Sequence, residues 1–209
     1  MEPESDRPIP RSIVLATGNP HKAREFEALM AGIQVEAMPD DIQLPPETGD
    51  TFYENARLKA RTVHEALAGR AGGQPPWVMA DDSGIEVEAL GWGPGIYSSR
   101  YAGEDAGDTD NVEKLLAELE GARSRRARFV CVIVGIAPDG RELRAEGVFP
   151  GEIAGEPTGR GGFGYDPVFI PEGYSLTVSL LSAEEKNRIS HRARAARSLL
   201  DQLRGGDSE

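Results

Sequence analysis

Four stretches of this 209-residue chain hold side chains of the kinds that handle phosphate, metal and water. The first is Thr17-Gly18-Asn19-Pro20-His21-Lys22. Its pattern predicts a strand end, a tight loop and a helix start, with Asn19 as N-cap and Pro20 at the first helical position. Free backbone N–H groups and the positive end of the helix dipole meet at such a junction and can cradle a phosphate. Lys22 falls in the first turn, where a cation opposes the dipole by about 0.3–1 kcal/mol. An anion bound beside it would remove that penalty. The stretch is not a Walker A loop, because GxxxxGK[ST] is absent.

The second stretch is Asp81-Asp82-Ser83-Gly84, after the apolar run Trp77–Ala80. Carboxylates at the end of a strand stand where open α/β sheets bind ligands. Two adjacent carboxylates can hold Mg²⁺ together with waters and substrate phosphates, and one can position or deprotonate a water. Asp, Ser and Gly are also turn formers, so an Asp-rich turn explains the stretch equally well. Glu47 offers a third carboxylate, although locally it reads as a solvated loop residue. Asn55 and Lys59 share a helix face four residues apart. Lys59 by itself reads as solvated, and Glu54 as the capping-box partner of Thr51.

The third stretch is Gly159-Arg160-Gly161-Gly162-Phe163-Gly164-Tyr165-Asp166-Pro167. It satisfies GxGxxG but does not open a helix, since the following residues are extended and hold two prolines, so a dinucleotide fingerprint is rejected. Its glycines and aromatics could let a flat ring approach the backbone and stack, or could form a surface loop with core aromatics. The fourth is Lys186-Asn187-Arg188-Ile189-Ser190-His191-Arg192. This cluster of donors suits phosphate or a carbonyl-bearing base, or else is a solvated helix face paired with Glu184 and Glu185. His191 is too isolated to argue for a metal.

These stretches need elements to hold them. Ser12–Thr17 reads as a buried first strand, and Ala23, Phe26, Leu29 and Met30 as the apolar face of the helix after it. Thr51 opens a second helix with Phe52, Ala56, Ala60, Val63 and Leu67 inward. Trp77–Ala80 reads as one strand and Ile85–Leu90, alternating apolar and acidic, as a half-exposed one. Asn111–Leu119 is a helix, and Arg128–Ala137 and Glu142–Phe149 form a hairpin about Pro138-Asp139-Gly140. Ser182 and Glu185 form a second capping box that starts a helix ending near Leu203. The class is α/β or α+β with a mixed sheet. Cys131 reads as core, Trp77 and Trp92 as packing residues, and His64 as a surface residue.

Composition excludes several functions. Lys and Arg number 23 against 35 Asp and Glu, a formal charge of −12. Such a chain is a poor match for a nucleic-acid backbone or an anionic membrane. A single cysteine permits no intrachain disulfide and fits a reducing, cytoplasmic setting. No apolar run reaches the length of a membrane span. Residues 1–11 read as a flexible N-terminal extension and 12–209 as one domain.

The four stretches together supply what binds a nucleoside triphosphate with Mg²⁺. At this point a resemblance is plain. TGNPHK, ETGDTFYENARLKA, ADDSG, PGIYSSRYAG, GGFGYDPVF and EEKNRISHR stand in the order found in the non-canonical purine nucleoside triphosphate pyrophosphatases, the Ham1-like family. The resemblance spans about residues 12 to 203. It implies a long twisted mixed sheet, helices forming two lobes around a central cleft, and a homodimer. The implied reaction converts inosine, deoxyinosine or xanthosine triphosphate to the monophosphate and pyrophosphate, which cleanses the nucleotide pool.

The resemblance also implies roles. Thr17, Gly18, Asn19 and Lys22 would hold the triphosphate, with Lys59 near it. Asp82 would activate the attacking water and bear on Mg²⁺ with Glu47, and Ser83 would contact substrate. Phe163, Gly164, Tyr165 and Asp166 would form the base pocket, and Lys186, His191 and Arg192 would reach the 6-oxo side of the base. The chain departs from the family at residues 1–11, at Trp92 and Ala193, where glycine is usual, and at Leu180, where glutamate is frequent. Two alternatives remain: a related house-cleaning pyrophosphatase for another modified nucleotide, or a non-catalytic nucleotide-binding regulator.

Overall fold

The computed structural model describes residues 9–71 and 74–205. Most of the expected extension, residues 1–8, lies outside the described residues. Strand β1 (Ser12–Leu15) buries Ile13, Val14 and Leu15 in succession, as a strand covered on both faces requires. It pairs in parallel with β2 (Gln34–Ala37) and with β3 (Val78–Val87). Helices α1 (Pro20–Leu29) and α2 (Phe52–Ala71) make the two connections. Strand β4 (Gly93–Pro94) pairs antiparallel with β3. After α3 (Asp108–Glu118) come the hairpin strands β5 (Arg126–Ile136) and β6 (Glu142–Ile153), then β7 (Phe169–Pro171), antiparallel to β6. Helices α4 (Ala183–Ile189) and α5 (His191–Leu203) follow. The sheet has seven strands in the order β2-β1-β3-β5-β6-β7, with β4 beside β3. The class is the expected mixed α/β.

The chain divides into two compact units. The first holds the described residues up to Asp82, Cys131–Gly147 and the described residues from Arg192. Strand alternation splits its apolar side chains between two faces. Ile13, Leu15, Met79, Cys131 and Ile133 pack with Phe26 and Met30 of α1 and with Ala196 and Leu199 of α5. Val14, Ala16, Val78, Ala80 and Val134 pack with Ala56, Ala60 and Val63 of α2. The second unit, Ser83–Val130 and Val148–His191, gathers Ile85, Val87, Phe129, Phe149 and Phe169 against Val112 and Leu115 of α3 and Leu119 at its C-cap.

Several sequence expectations change. Trp77–Ala80 and Ile85–Leu90 are not two strands joined by an Asp-rich turn, because β3 runs unbroken from Val78 to Val87. Gly84 is there for close approach: a Cβ would collide with the Gly95 carbonyl oxygen and the Ser98 hydroxyl. The expected C-terminal helix is two helices, broken at Ser190, whose ψ of 163° is extended. Serine suits such a break, since its hydroxyl competes for backbone groups. Ser182 does accept from the Glu185 N–H, but the Glu185 carboxylate pairs with Arg188 instead of reaching back. Similarly, Thr51 accepts from the Glu54 N–H while Glu54 reaches Asp50 rather than Thr51. Trp92 is no packing residue: it is 42% exposed, at a φ of 67°, under the Arg128 guanidinium. His64 is half-buried, with Nε2 3.0 Å from the Ala137 carbonyl oxygen. Cys131 is buried and Trp77 packs against the first core, as expected.

Candidate active site

Consecutive strand residues face opposite sides of a sheet, and this separates the two aspartates. Asp82 lies on the α2 side. Its Oδ2 accepts from the Asn55 Nδ2 at 3.2 Å, and its Oδ1 is 3.4 Å from the Lys59 Nζ. The same ammonium lies 2.6 Å from the Glu47 Oε1. Lys59 is therefore buried in an ion pair rather than solvated, and Glu47 is no solvated loop residue. Asn55 ties the arrangement together, since its Oδ1 accepts from the Gly49 N–H at 2.8 Å. Only glycine fits at 49, where a Cβ would lie 2.6 Å from the Glu54 Cβ. The Glu47-Thr48-Gly49 loop is thus pinned to α2, which holds Glu47 beside Lys59.

Burial raises the pKa of the Asp82 carboxyl above its ordinary value; Lys59 opposes this and Glu47 adds to it. Burial works against the Lys59 charge as well, but Asp82, Asp81 and Glu47 together raise its pKa. A proton-hungry carboxylate next to a fixed cation is suited to accept a proton from water.

Asp81 lies on the other side, among α1 and α5. Its Oδ2 is 2.9 Å from the Lys22 Nζ, 3.7 Å from the Arg192 Nε and 3.9 Å from the Cys131 Sγ. Burial pushes its pKa up, but Lys22, Arg192 and Lys59 outweigh burial and hold it down at about 2. Arg192 also places Nη1 3.0 Å from the Glu25 Oε2. Its guanidinium, expected to reach the base with Lys186 and His191, shares this carboxylate cluster with Lys22. Sequence reasoning left Asp81, Asn55 and Glu25 out of the site. The ADDSG doublet and the Asn55–Lys59 spacing were visible signals, whereas nothing local singled out Glu25.

The α1 cradle is also different in detail. The Asn19 Oδ1 accepts from the N–H groups of His21 and Lys22 at 2.9 and 3.3 Å, and the Thr17 Oγ1 accepts from the Asn19 N–H. Those helix-start donors are therefore taken up by the cap, contrary to the expectation of free ones. What the cradle offers is the dipole, Lys22, and open space at Gly18, where a Cβ would meet nothing within 4 Å.

In the second unit, the glycine-rich loop is pinned at three places. Thr177 and Ser179 donate to the Thr158 carbonyl, Asp166 accepts from the Phe163 N–H at 3.0 Å, and Asp108 accepts from the Gly164 N–H at 2.6 Å. Asp166 also pairs with the buried Lys186 Nζ at 2.6 Å, and that ammonium lies 4.7 Å from the Phe163 ring centroid. Tyr165, expected in the base pocket, is buried with its hydroxyl donating to the Ser98 carbonyl. Phe163 is the half-buried aromatic of the loop. His191 stacks on Phe129 with ring planes 10° apart. Ser83 follows Asp82 in β3 and is half-buried. Of the departures, Ala193 is buried in α5 and Leu180 is exposed.

The Asp81-Asp82 doublet cannot chelate one ion as a pair, because its members face opposite sides. Glu47 and Asp82 are the two carboxylates brought together, both against the Lys59 ammonium. No group of three or more His, Cys, Asp or Glu side chains forms a metal cluster among the described residues. Two carboxylates still fit Mg²⁺, which commonly takes one or two and completes its shell with water and phosphate.

Fold and site together define a mixed α/β protein built to hold a phosphate-rich ligand beside a carboxylate base. Comparison with known proteins narrows this. Residues 13–202 match the family model described as the Ham1 family. A protein of Shigella flexneri named dITP/XTP pyrophosphatase is 47% identical over 203 residues, 94% of this chain and 100% of the relative. One of the same name from Escherichia coli K12 is 45% identical with the same coverage. The solved structure of the Staphylococcus aureus Ham1 protein superposes with a TM-score of 0.81 at 42% identity, covering 93% of this chain and 98% of that one. The chain belongs to the Ham1 family.

Proposed function

We infer that the protein hydrolyses non-canonical purine nucleoside triphosphates, the dITP and XTP class, to the monophosphate and pyrophosphate. The observation that carries this is the buried Asp82 carboxylate, fixed by Asn55 and Lys59 and raised in proton affinity, in a chain whose relatives are named dITP/XTP pyrophosphatases. Asp82 takes the proton of a water whose oxygen attacks the α-phosphorus. The bond from that phosphorus to the α,β-bridging oxygen breaks and pyrophosphate leaves. Lys22 and Lys59 offset phosphate charge. Mg²⁺ held by Glu47 and Asp82 would neutralise further phosphate charge when bound. For the base, a donor such as the Lys186 ammonium favours a 6-oxo acceptor over an amino group. An unpaired buried donor costs about 1–3 kcal/mol, roughly tenfold or more in discrimination.

No helix among the described residues is long and apolar enough to cross a membrane. A cytoplasmic homodimer with Mg²⁺ as its ion completes the proposal. The test is a substrate panel with product identification. Pyrophosphate release from dITP and XTP should far exceed that from the four standard triphosphates, stop on chelation of Mg²⁺, and vanish in Asp82→Asn with folding intact. Equal rates across the panel would refute the base selectivity, and an active Asp82→Asn would remove Asp82 from the chemistry.

A further inference from the structure

We propose that Asp81 is a positioning residue: from the face of β3 opposite Asp82, its single oxygen Oδ2 fixes the Lys22 ammonium and the Arg192 guanidinium, and turnover depends on that fixing. The proposal rests on the pyrophosphatase reading above. Three observations carry it. Asp81 is 1% exposed and mid-strand, so its carboxylate cannot wander. Lys22 comes from α1 and Arg192 from α5, two segments far apart in the chain, and Asp81 is a carboxylate that both approach, at 2.9 and 3.7 Å, Arg192 being hydrogen-bonded to Glu25 besides. The Asp81 Oδ1 is buried and has no hydrogen-bond partner among the described residues, while the closest approaches of both cations are to Oδ2. A carboxylate placed only to satisfy the core would use both oxygens.

The arrangement has a cost that makes it testable. Asp81 is an anion near groups expected to meet a polyphosphate, so its charge works against binding while its geometry serves turnover. Replacing it by the isosteric asparagine should therefore move binding and catalysis in opposite directions. Misplacing a reacting or charge-bearing group by about 1 Å can cost about a hundredfold in rate.

The experiment compares the wild type, Asp81→Asn and Asp81→Glu as full-length protein. Metal-free binding of inorganic tripolyphosphate is measured by calorimetry, and kcat and KM for dITP by pyrophosphate release. For Asp81→Asn the expected result is tripolyphosphate binding about three- to tenfold tighter with kcat about 30- to 100-fold lower. For Asp81→Glu, which keeps the charge but shifts it by one methylene, tripolyphosphate binding should stay within about twofold while kcat falls about tenfold or more. Wild-type kcat in either variant would overturn the proposal, as would tripolyphosphate binding that weakens together with kcat, the signature of a merely structural residue. If Asp81→Asn does not fold, Asp81→Glu decides by the same criteria. If the wild type releases no pyrophosphate from any purine triphosphate, the functional reading fails and the turnover role of Asp81 falls with it; pyrophosphate release by the wild type with wild-type kcat in the variants refutes the role of Asp81 alone.

Discussion

Lys59→Met removes a cation shared by Glu47 and Asp82 and keeps the length and apolar body of the side chain. The Lys59 Nζ lies 3.4 Å from the Asp82 Oδ1. A unit charge at that distance attracts the carboxylate by roughly 5 kcal/mol at an effective dielectric constant of about 20. That is an upper limit of about three to four pKa units, and water taking the place of the ammonium leaves at least about one. The sign follows from the chemistry. Asp82 must be ionised to take a proton, so activity is lost as pH falls through its pKa. Loss of Lys59 raises that pKa, and the acid limb of the kcat/KM profile should move up by about one pH unit. Initial rates of pyrophosphate release from dITP between pH 5 and 9, at saturating Mg²⁺, measure it. Removing the competing ammonium should also tighten Mg²⁺ binding, read as a lower half-saturating concentration. A slower enzyme whose acid limb and Mg²⁺ requirement both stay put would refute the electrostatic coupling.

Three further expectations follow. Gly49→Ala forces a Cβ to within 2.6 Å of the Glu54 Cβ, so thermal unfolding should show a loss of about 1–3 kcal/mol together with reduced turnover. Gly18→Ala meets nothing within 4 Å, so it should unfold as wild type does while binding tripolyphosphate more weakly; unchanged binding would take Gly18 out of the cradle. The third concerns acid. The pKa of Asp81 is depressed from 3.8 to about 2 in the folded protein, so its contribution is complete above about pH 4 and is lost as pH falls towards 2. Denaturant titrations over that window should show about 2 kcal/mol of stability disappearing in the wild type but not in Asp81→Asn.

The ordered motifs, the net charge and the alternation of apolar residues were enough to establish the mixed α/β class and the family resemblance. These are short-range signals: a cap residue before a proline, a helix face four residues wide, a strand run ended by glycine. The division of labour between Asp81 and Asp82 was not legible. Asp-Asp-Ser-Gly has the composition of a turn, and only the packing of Gly84 against Gly95 and Ser98 shows why glycine stands in the middle of a strand. Once the stretch is a strand, its two-residue period sends neighbouring carboxylates to opposite faces, one towards Asn55 and Lys59, the other towards Lys22 and Arg192. Arg192 and Glu25 are 167 positions apart in the chain, and Lys59 loses its solvent to a loop that Asn55 pins in place. Pairings of that range depend on how α1, α2 and α5 pack on the strands, and a local pattern of residue types does not encode which partner a buried charge will meet.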